Sequence, residues 1–179
     1  MLSYITFDDI RGFNRNLNES VVIAKAYQKE YKTIFLSHSS KDSELLPGVI
    51  SILENHGGKV YIDKKDPRLP DSVSPETAEI LRNTIRDCKK MVVLVSANTK
   101  ESRWIPWELG LGDEAKKIWN VALFPVVEKS YETAWTKQEY LGLYRRIIWG
   151  TFKGKDKSEW MVHEHRNNTA DPLGEWLRK

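Results

Sequence analysis

The chain holds one cysteine, Cys88, three methionines, and no apolar run long enough to cross a bilayer. A lone thiol cannot close an intramolecular disulfide, so cohesion has to come from packing, as in proteins of a reducing compartment. The longest early apolar run, Val21 to Ala24, is too short for a signal-peptide core or a membrane span, which points to the cytoplasm. Charge of one sign is missing too: 28 Lys and Arg stand against 25 Asp and Glu, a net +3. The densest basic stretch, Lys153, Lys155 and Lys157, is broken by Gly154 and Asp156 and is expected to be a solvated loop. Phosphate binding calls for a concentrated basic face, so no nucleic-acid partner is expected. No repeat is visible, and ten glycines and seven prolines form no linker long enough to separate a pair of domains.

Hydrophobic residues make up 40% and charged residues 30% of the 179 positions, enough for one soluble domain with a decorated end. Residues 1–31 carry a weak apolar pattern suited to one or two short helices, an N-terminal helical extension. Across residues 32–150, short runs rich in β-branched and aromatic residues alternate with longer segments of helical period. The strand candidates are Thr33–Ser37, Lys59–Ile62, Met91–Ser96, Val121–Val127 and Arg146–Trp149, several of them apolar at consecutive positions as doubly covered strands should be. Residues 151–179, with Trp160 and Trp176, form a C-terminal extension expected to pack on the same domain.

Between the strands, Leu45, Leu46, Val49, Ile50 and Leu53 make one helical face, with Asp42 or Ser43 as N-cap and Gly57-Gly58 as the stop. Ser74-Pro75-Glu76 supplies a cap, a proline at the first helical position and an acid in the first turn, ahead of the stripe Leu81, Thr84, Ile85, Cys88. A third helix runs from near Trp104 to about Ile118. The pattern predicts an α/β class, a flavodoxin-like three-layer α/β/α fold with a five-stranded parallel sheet of order 2-1-3-4-5. Its ligand crevice belongs at the carboxyl ends of strands one and three.

Strand one ends in Ser37-His38-Ser39-Ser40, polar residues leading into a helix N-terminus and suited to phosphate or ribose hydroxyls. Strand three ends in Ser96-Ala97-Asn98 and feeds Glu101-Ser102-Arg103-Trp104-Ile105-Pro106-Trp107-Glu108-Leu109. Pro106 suits a first helical turn, where its missing N–H costs little, and Trp104, Glu108 and Leu111 then share a face. Burial beside an indole disfavours a charged Glu108 and the positive helix end favours it, with the ionised form expected at neutral pH. Spacing alone leaves Glu108 open between a surface acid and a functional carboxylate, the tryptophan pair between packing and binding, and His38 between a loop hydrogen-bond partner and a base. His163-Glu164-His165 alternates without further well-placed ligands and reads as a loop, so no metal site is expected.

Ile34-Phe35-Leu36-Ser37-His38-Ser39-Ser40-Lys41-Asp42 resembles the first conserved box of bacterial TIR domains, and Val60-Tyr61-Ile62-Asp63 follows at the right distance, its aspartate opening what that family calls the BB loop. Leu69-Pro70-Asp71-Ser72-Val73-Ser74-Pro75-Glu76-Thr77-Ala78 is similar to the loop end of a bacterial TIR subgroup, and Ser102-Arg103-Trp104-Ile105-Pro106-Trp107-Glu108-Leu109-Gly110 resembles its glutamate-bearing helix. The resemblance spans roughly residues 32–150. It implies NAD⁺ glycohydrolase or ADP-ribosyl-cyclase activity with NAD⁺ as substrate and no cofactor, Glu108 as the catalytic carboxylate at the nicotinamide ribose, and Trp104 stacked on a ring. Ser37, His38, Ser39, Asp63, Lys64 and Trp107 complete the expected substrate contacts. It further implies self-association in which one subunit's BB loop completes the next subunit's site, and anti-phage defence of the Thoeris type with a downstream effector that senses the product. The loop departs from the common family form in Lys64-Lys65-Asp66-Pro67-Arg68, which carries more proline and charge.

Glycosidases usually set two carboxylates about the scissile bond. Nicotinamide, however, leaves neutral from a cationic nitrogen without receiving a proton, so one carboxylate can suffice. Water then yields ADP-ribose, the adenine or a ribose hydroxyl a cyclic isomer, and a foreign base an exchange product. Two other readings stay open: a non-catalytic TIR interaction module, which needs no acid at position 108, and a nucleoside deoxyribosyltransferase-like enzyme, whose related sheet also sets a glutamate at a ribose.

Overall fold

The computed structural model describes residues 2–27, 31–63, 74–102, 104–131 and 139–179. The chain opens with β1 (Ile5–Thr6), α1 (Phe7–Asn14) and α2 (Glu19–Tyr27). Strands and helices then alternate: β2 (Ile34–Ser37), α3 (Leu46–Asn55), β3 (Val60–Tyr61), α4 (Pro75–Asp87), β4 (Lys90–Val95), α5 (Ile105–Lys116), β5 (Val121–Val127) and β6 (Arg145–Thr151). Strands β7 (Ser158–Glu164) and β8 (Thr169–Pro172) and helix α6 (Leu173–Arg178) follow.

The described strands form one sheet ordered β3-β2-β4-β5-β6-β7-β8, with β1 paired to β5. Pairing is parallel from β3 across to β6 and between β1 and β5, and antiparallel for β6–β7 and β7–β8. The expected five-stranded, all-parallel sheet is therefore corrected to an eight-stranded mixed one. Its extra strands come from segments that looked like extensions. Gly154, at φ +83, lies in the turn between β6 and β7, and Asn168, at φ +54, in the turn before β8. Each takes the left-handed backbone that short reversals favour. His163 and Glu164 accordingly belong to a strand, paired with Arg146, Ala170 and Thr169, and the expected loop there is corrected.

Every residue of β2, β4 and β5 is buried. Because side chains alternate across a strand, their apolar residues divide into two cores. Ile34, Leu36, Val92, Leu94 and Phe124 join residues of α1, α3 and α6 on one face, while Phe35, Met91, Val93, Val95 and Leu123 join those of α4 and α5 on the other. Trp160 and Trp176 belong to the first core, with the Trp176 indole N–H donating to the Trp119 carbonyl at 2.9 Å. The Lys90 ammonium lies 4.7 Å from the centre of the Trp176 ring.

Local chemistry explains the helix boundaries that position the site. Ser74 caps α4, its hydroxyl accepting the Thr77 N–H at 3.2 Å, and Pro75 occupies the first turn. Before α3 the expected cap is corrected: Ser39, not Asp42 or Ser43, caps a 3₁₀ stretch from Ser40 to Leu45, and the α-helix starts only at Leu46. Helix α5 approaches β4 closely at Gly112, where an added Cβ would stand 2.0 Å from Met91 Sδ.

Candidate active site

The adjacent parallel strands β2 and β4 end side by side, at the sheet edge where folds of this class place their ligand crevice, and Ser37 and Glu108 meet there. Ser37, the last residue of β2, has no exposed surface, and Glu108, in the first turn of α5, is 2% exposed. The Ser37 hydroxyl donates to Glu108 Oε2 at 2.5 Å. Burial works against the carboxylate's charge, while this donor and the positive end of α5 both favour it.

The start of α5 is built without help from its own N-cap. Trp104 offers no capping side chain, and the first helical N–H, that of Ile105, is received by Ser102 Oγ at 3.3 Å. Pro106 sits in the first turn, and the Glu108 N–H donates to the Trp104 carbonyl at 2.9 Å. The Trp104 and Trp107 rings meet edge to face, centroids 5.4 Å apart, both half-buried against the α4–α5 core. The Arg82 guanidinium lies 5.6 Å from the Trp107 ring centre, an attractive distance for a cation over an aromatic face.

On the other side of the crevice, His38 is buried, its Nδ1 3.3 Å from the Leu36 carbonyl and 3.9 Å from Asp63 Oδ1. Helix α2 lies against this end of the sheet, where the Ile62 N–H donates to the Ala26 carbonyl at 3.3 Å, and burial first, with the Asp63 carboxylate second, pushes the Tyr27 phenol up. The structure thus joins Ser37 to Glu108, His38 to Asp63, and Trp104 to Trp107. Ser39 is buried beside them, but its hydroxyl accepts the Lys41 N–H at 3.4 Å as a cap. Lys64 and the rest of the 64–73 segment lie outside the described residues.

One cluster has little signature in the sequence. Asp42, 1% exposed, accepts the Ser96 hydroxyl at 2.8 Å on both oxygens and the Asn98 amide at 2.7 Å on Oδ1. Its only sequence signal is an acid in one crevice loop and a Ser-Ala-Asn in the other. Lys41 also pairs with Glu101 across these two loops, and that hydrogen bond holds the Glu101 carboxyl below its usual range. Among the described residues no group of three or more His, Cys, Asp and Glu could hold a metal ion, and no helix is long and apolar enough to cross a membrane.

A parallel β/α core whose first strand supports a buried glutamate on the helix after the third strand defines a class, and comparison with known families gives it a name. Residues 34–164 match the TIR domain, and the chain belongs to that family. Among curated proteins it is 36% identical over 183 residues to the probable 3' cyclic ADP-D-ribose synthase ThsB' of Bacillus cereus (strain MSX-D12), covering 99% of this chain and 93% of that protein. It is also 29% identical over 124 residues to the putative cyclic ADP-D-ribose synthase TIR2 of Cytobacillus dafuensis, covering 60% of this chain and 32% of that longer protein.

Proposed function

We propose that this chain cleaves the nicotinamide–ribose bond of NAD⁺ and closes the ADP-ribosyl product into a cyclic nucleotide, with Glu108 as the catalytic carboxylate. The observation that carries this is the buried Glu108 side chain held by Ser37 at the crevice, in a chain similar along nearly its whole length to a probable cyclic ADP-D-ribose synthase. A docking module has no use for a buried acid at this position, because burying a charge opposes folding unless something compensates.

As the glycosidic bond stretches, positive charge moves onto the ribose ring, and an anion fixed nearby in a poorly hydrated cleft lowers the energy of that state. Nicotinamide departs neutral. A 3' cyclic product, which the Bacillus relative's name specifies, requires a ribose hydroxyl of the same molecule to reach the anomeric carbon before water does. That hydroxyl loses its proton as the new C–O bond forms, so each turnover releases one nicotinamide and one proton. Trp104 stacks on a ring of the dinucleotide, with Trp107 bracing it edge to face. Ser37 acts through Glu108, whereas His38 and Asp63 lie on the BB-loop side.

The protein acts in anti-phage defence, and its product signals to a separate effector. It self-associates through the BB loop that Asp63 opens, one subunit completing the site of the next. Incubation of concentrated protein with NAD⁺, followed by mass spectrometry of the products, tests the central reading. Equimolar nicotinamide and a cyclic ADP-ribose isomer are expected; full retention of NAD⁺ at high protein concentration would leave only the docking module.

A further inference from the structure

We propose that Asp42 is a positioning residue for this reaction: its buried carboxylate ties the loop after β2 to the loop after β4 and thereby sets where Trp104 and Glu108 stand. The proposal rests on the reading of Glu108 given above.

The tie is a continuous relay. Asp42 breaks the 3₁₀ stretch with φ −101° and ψ 18° and is hydrogen-bonded to Ser96 and Asn98. Ser96 Oγ in turn accepts the Asn98 N–H at 3.0 Å, and the Ser96 N–H donates to Thr99 Oγ1 at 2.8 Å. The 3₁₀ turn Thr99–Glu101 then delivers Ser102, whose hydroxyl oxygen receives the first N–H of α5. Hydrogen bonds thus run from Asp42 through Ser96, Asn98 and Thr99, and Ser102 then bonds the first turn of the helix that carries Glu108.

The donors to this buried carboxylate are neutral, and no ion pair reaches it among the described residues. Burying a charge on neutral donors is a costly way to join two loops, and costly polar arrangements persist where geometry matters. The second tie between the same loops, Lys41 to Glu101, has side chains 61% and 50% exposed. Exposed pairs contribute little, so the placement of the loop falls to Asp42. A displacement of about 1 Å in a reacting group can lower turnover on the order of a hundredfold.

The test compares Asp42→Asn, Asn98→Asp and the Asp42→Asn/Asn98→Asp double variant with Glu108→Gln. It measures kcat and KM for nicotinamide release well below the melting temperature, and amide exchange across residues 96–108. Asp42→Asn is expected to lower kcat about ten- to a hundredfold with a smaller change in KM, and to speed exchange over 96–108, which Glu108→Gln leaves slow. The double variant restores an Asp–Asn pair with its polarity reversed and is expected to recover most of the lost kcat. Should Asp42→Asn fail to fold, Ser96→Ala, which removes one donor to Asp42 together with the acceptor of the Asn98 N–H and leaves the Asn98 amide on Asp42, is expected to show the same kcat loss to a lesser degree. Wild-type kcat and exchange in folded Asp42→Asn, or in Ser96→Ala where it stands in, overturns the proposal whatever Glu108→Gln does. A kcat loss in Asp42→Asn beside full activity in Glu108→Gln keeps the positioning role and removes Glu108 from the chemistry.

Discussion

The proposed role of Glu108 sets two requirements: the carboxylate has to be dry enough to act strongly on a cationic sugar, yet supported well enough to stay charged. Ser37 supplies that support from a side chain with no exposed surface. Glu108→Gln, nearly isosteric, is expected to cut nicotinamide release about 10²–10³-fold with little change in melting temperature, by analogy with loss of one preorganised charge-stabilising group. Wild-type turnover in that variant would take Glu108 out of the mechanism. Ser37→Ala removes a hydrogen bond to a charged group, an interaction contributing about 1.5–3 kcal/mol, and is expected to lower kcat while leaving KM nearly unchanged. An unchanged kcat would mean that the hydroxyl only packs. Ser37 and Ser39, expected at the substrate, also serve the protein itself: the Ser37 hydroxyl donates to Glu108 and the Ser39 hydroxyl accepts the Lys41 N–H.

Among the elements, α5 carries Glu108 in its first turn. It lies on β4 at Gly112, where a methyl group would have to displace the buried Met91 side chain. Gly112→Ala is expected to destabilise the fold by about 1–3 kcal/mol, the usual cost of overpacking, and to reduce turnover by lifting the first turn of the helix. Full activity with a lowered melting temperature would uncouple the two. The β7–β8 hairpin carries a pH-dependent element: the Arg166 guanidinium, bonded to both Glu164 oxygens at 2.9 Å, draws the Glu164 carboxyl down to about 2 from 4.5. A carboxyl whose folded value is depressed stabilises the fold above its unfolded value and loses that contribution as pH falls through the folded one. Arg166→Ala is therefore expected to lower the melting temperature at pH 7, with the difference from wild type shrinking between pH 4.5 and 2. A difference independent of pH would rule this out. Element identity was legible wherever a cap announced it, as at Ser74 before α4. It was not legible at Ser40–Leu45, because a 3₁₀ stretch and an α-helix draw on the same residues and differ only in hydrogen-bond register.

For the whole molecule, the mixed sheet extends the parallel core with strands and a helix whose tryptophans fill one face. Trp176, 1% exposed, packs against Lys90 of β4, so the last helix stabilises the strand that leads to the crevice. Trp176→Ala is expected to destabilise the protein by about 3–5 kcal/mol, checked by denaturant unfolding, and to lower activity only through the unfolded fraction. At the same scale, a site completed by a neighbouring subunit predicts that nicotinamide release per protomer rises with protein concentration. A specific activity constant over a hundredfold dilution would show that each protomer is sufficient alone.

Periodicity and turn chemistry by themselves determined the α/β class and the five segments from Thr33 to Trp149 as strands, because alternation of apolar runs with helical stripes has few packed solutions. Helical spacing put Glu108 and Trp104 on one face, and the resemblance to TIR domains, not the spacing, gave them their expected roles. Only the tertiary structure decided that residues 158–172 join the sheet, that Ser37 supports Glu108, and that Asp42 reaches Ser96 and Asn98. These are contacts between residues 54 to 71 positions apart, or pairings of strands whose polar ends mask their period. Local propensity carries no information about which distant donor a buried carboxylate will meet; that is settled when the chain closes around it.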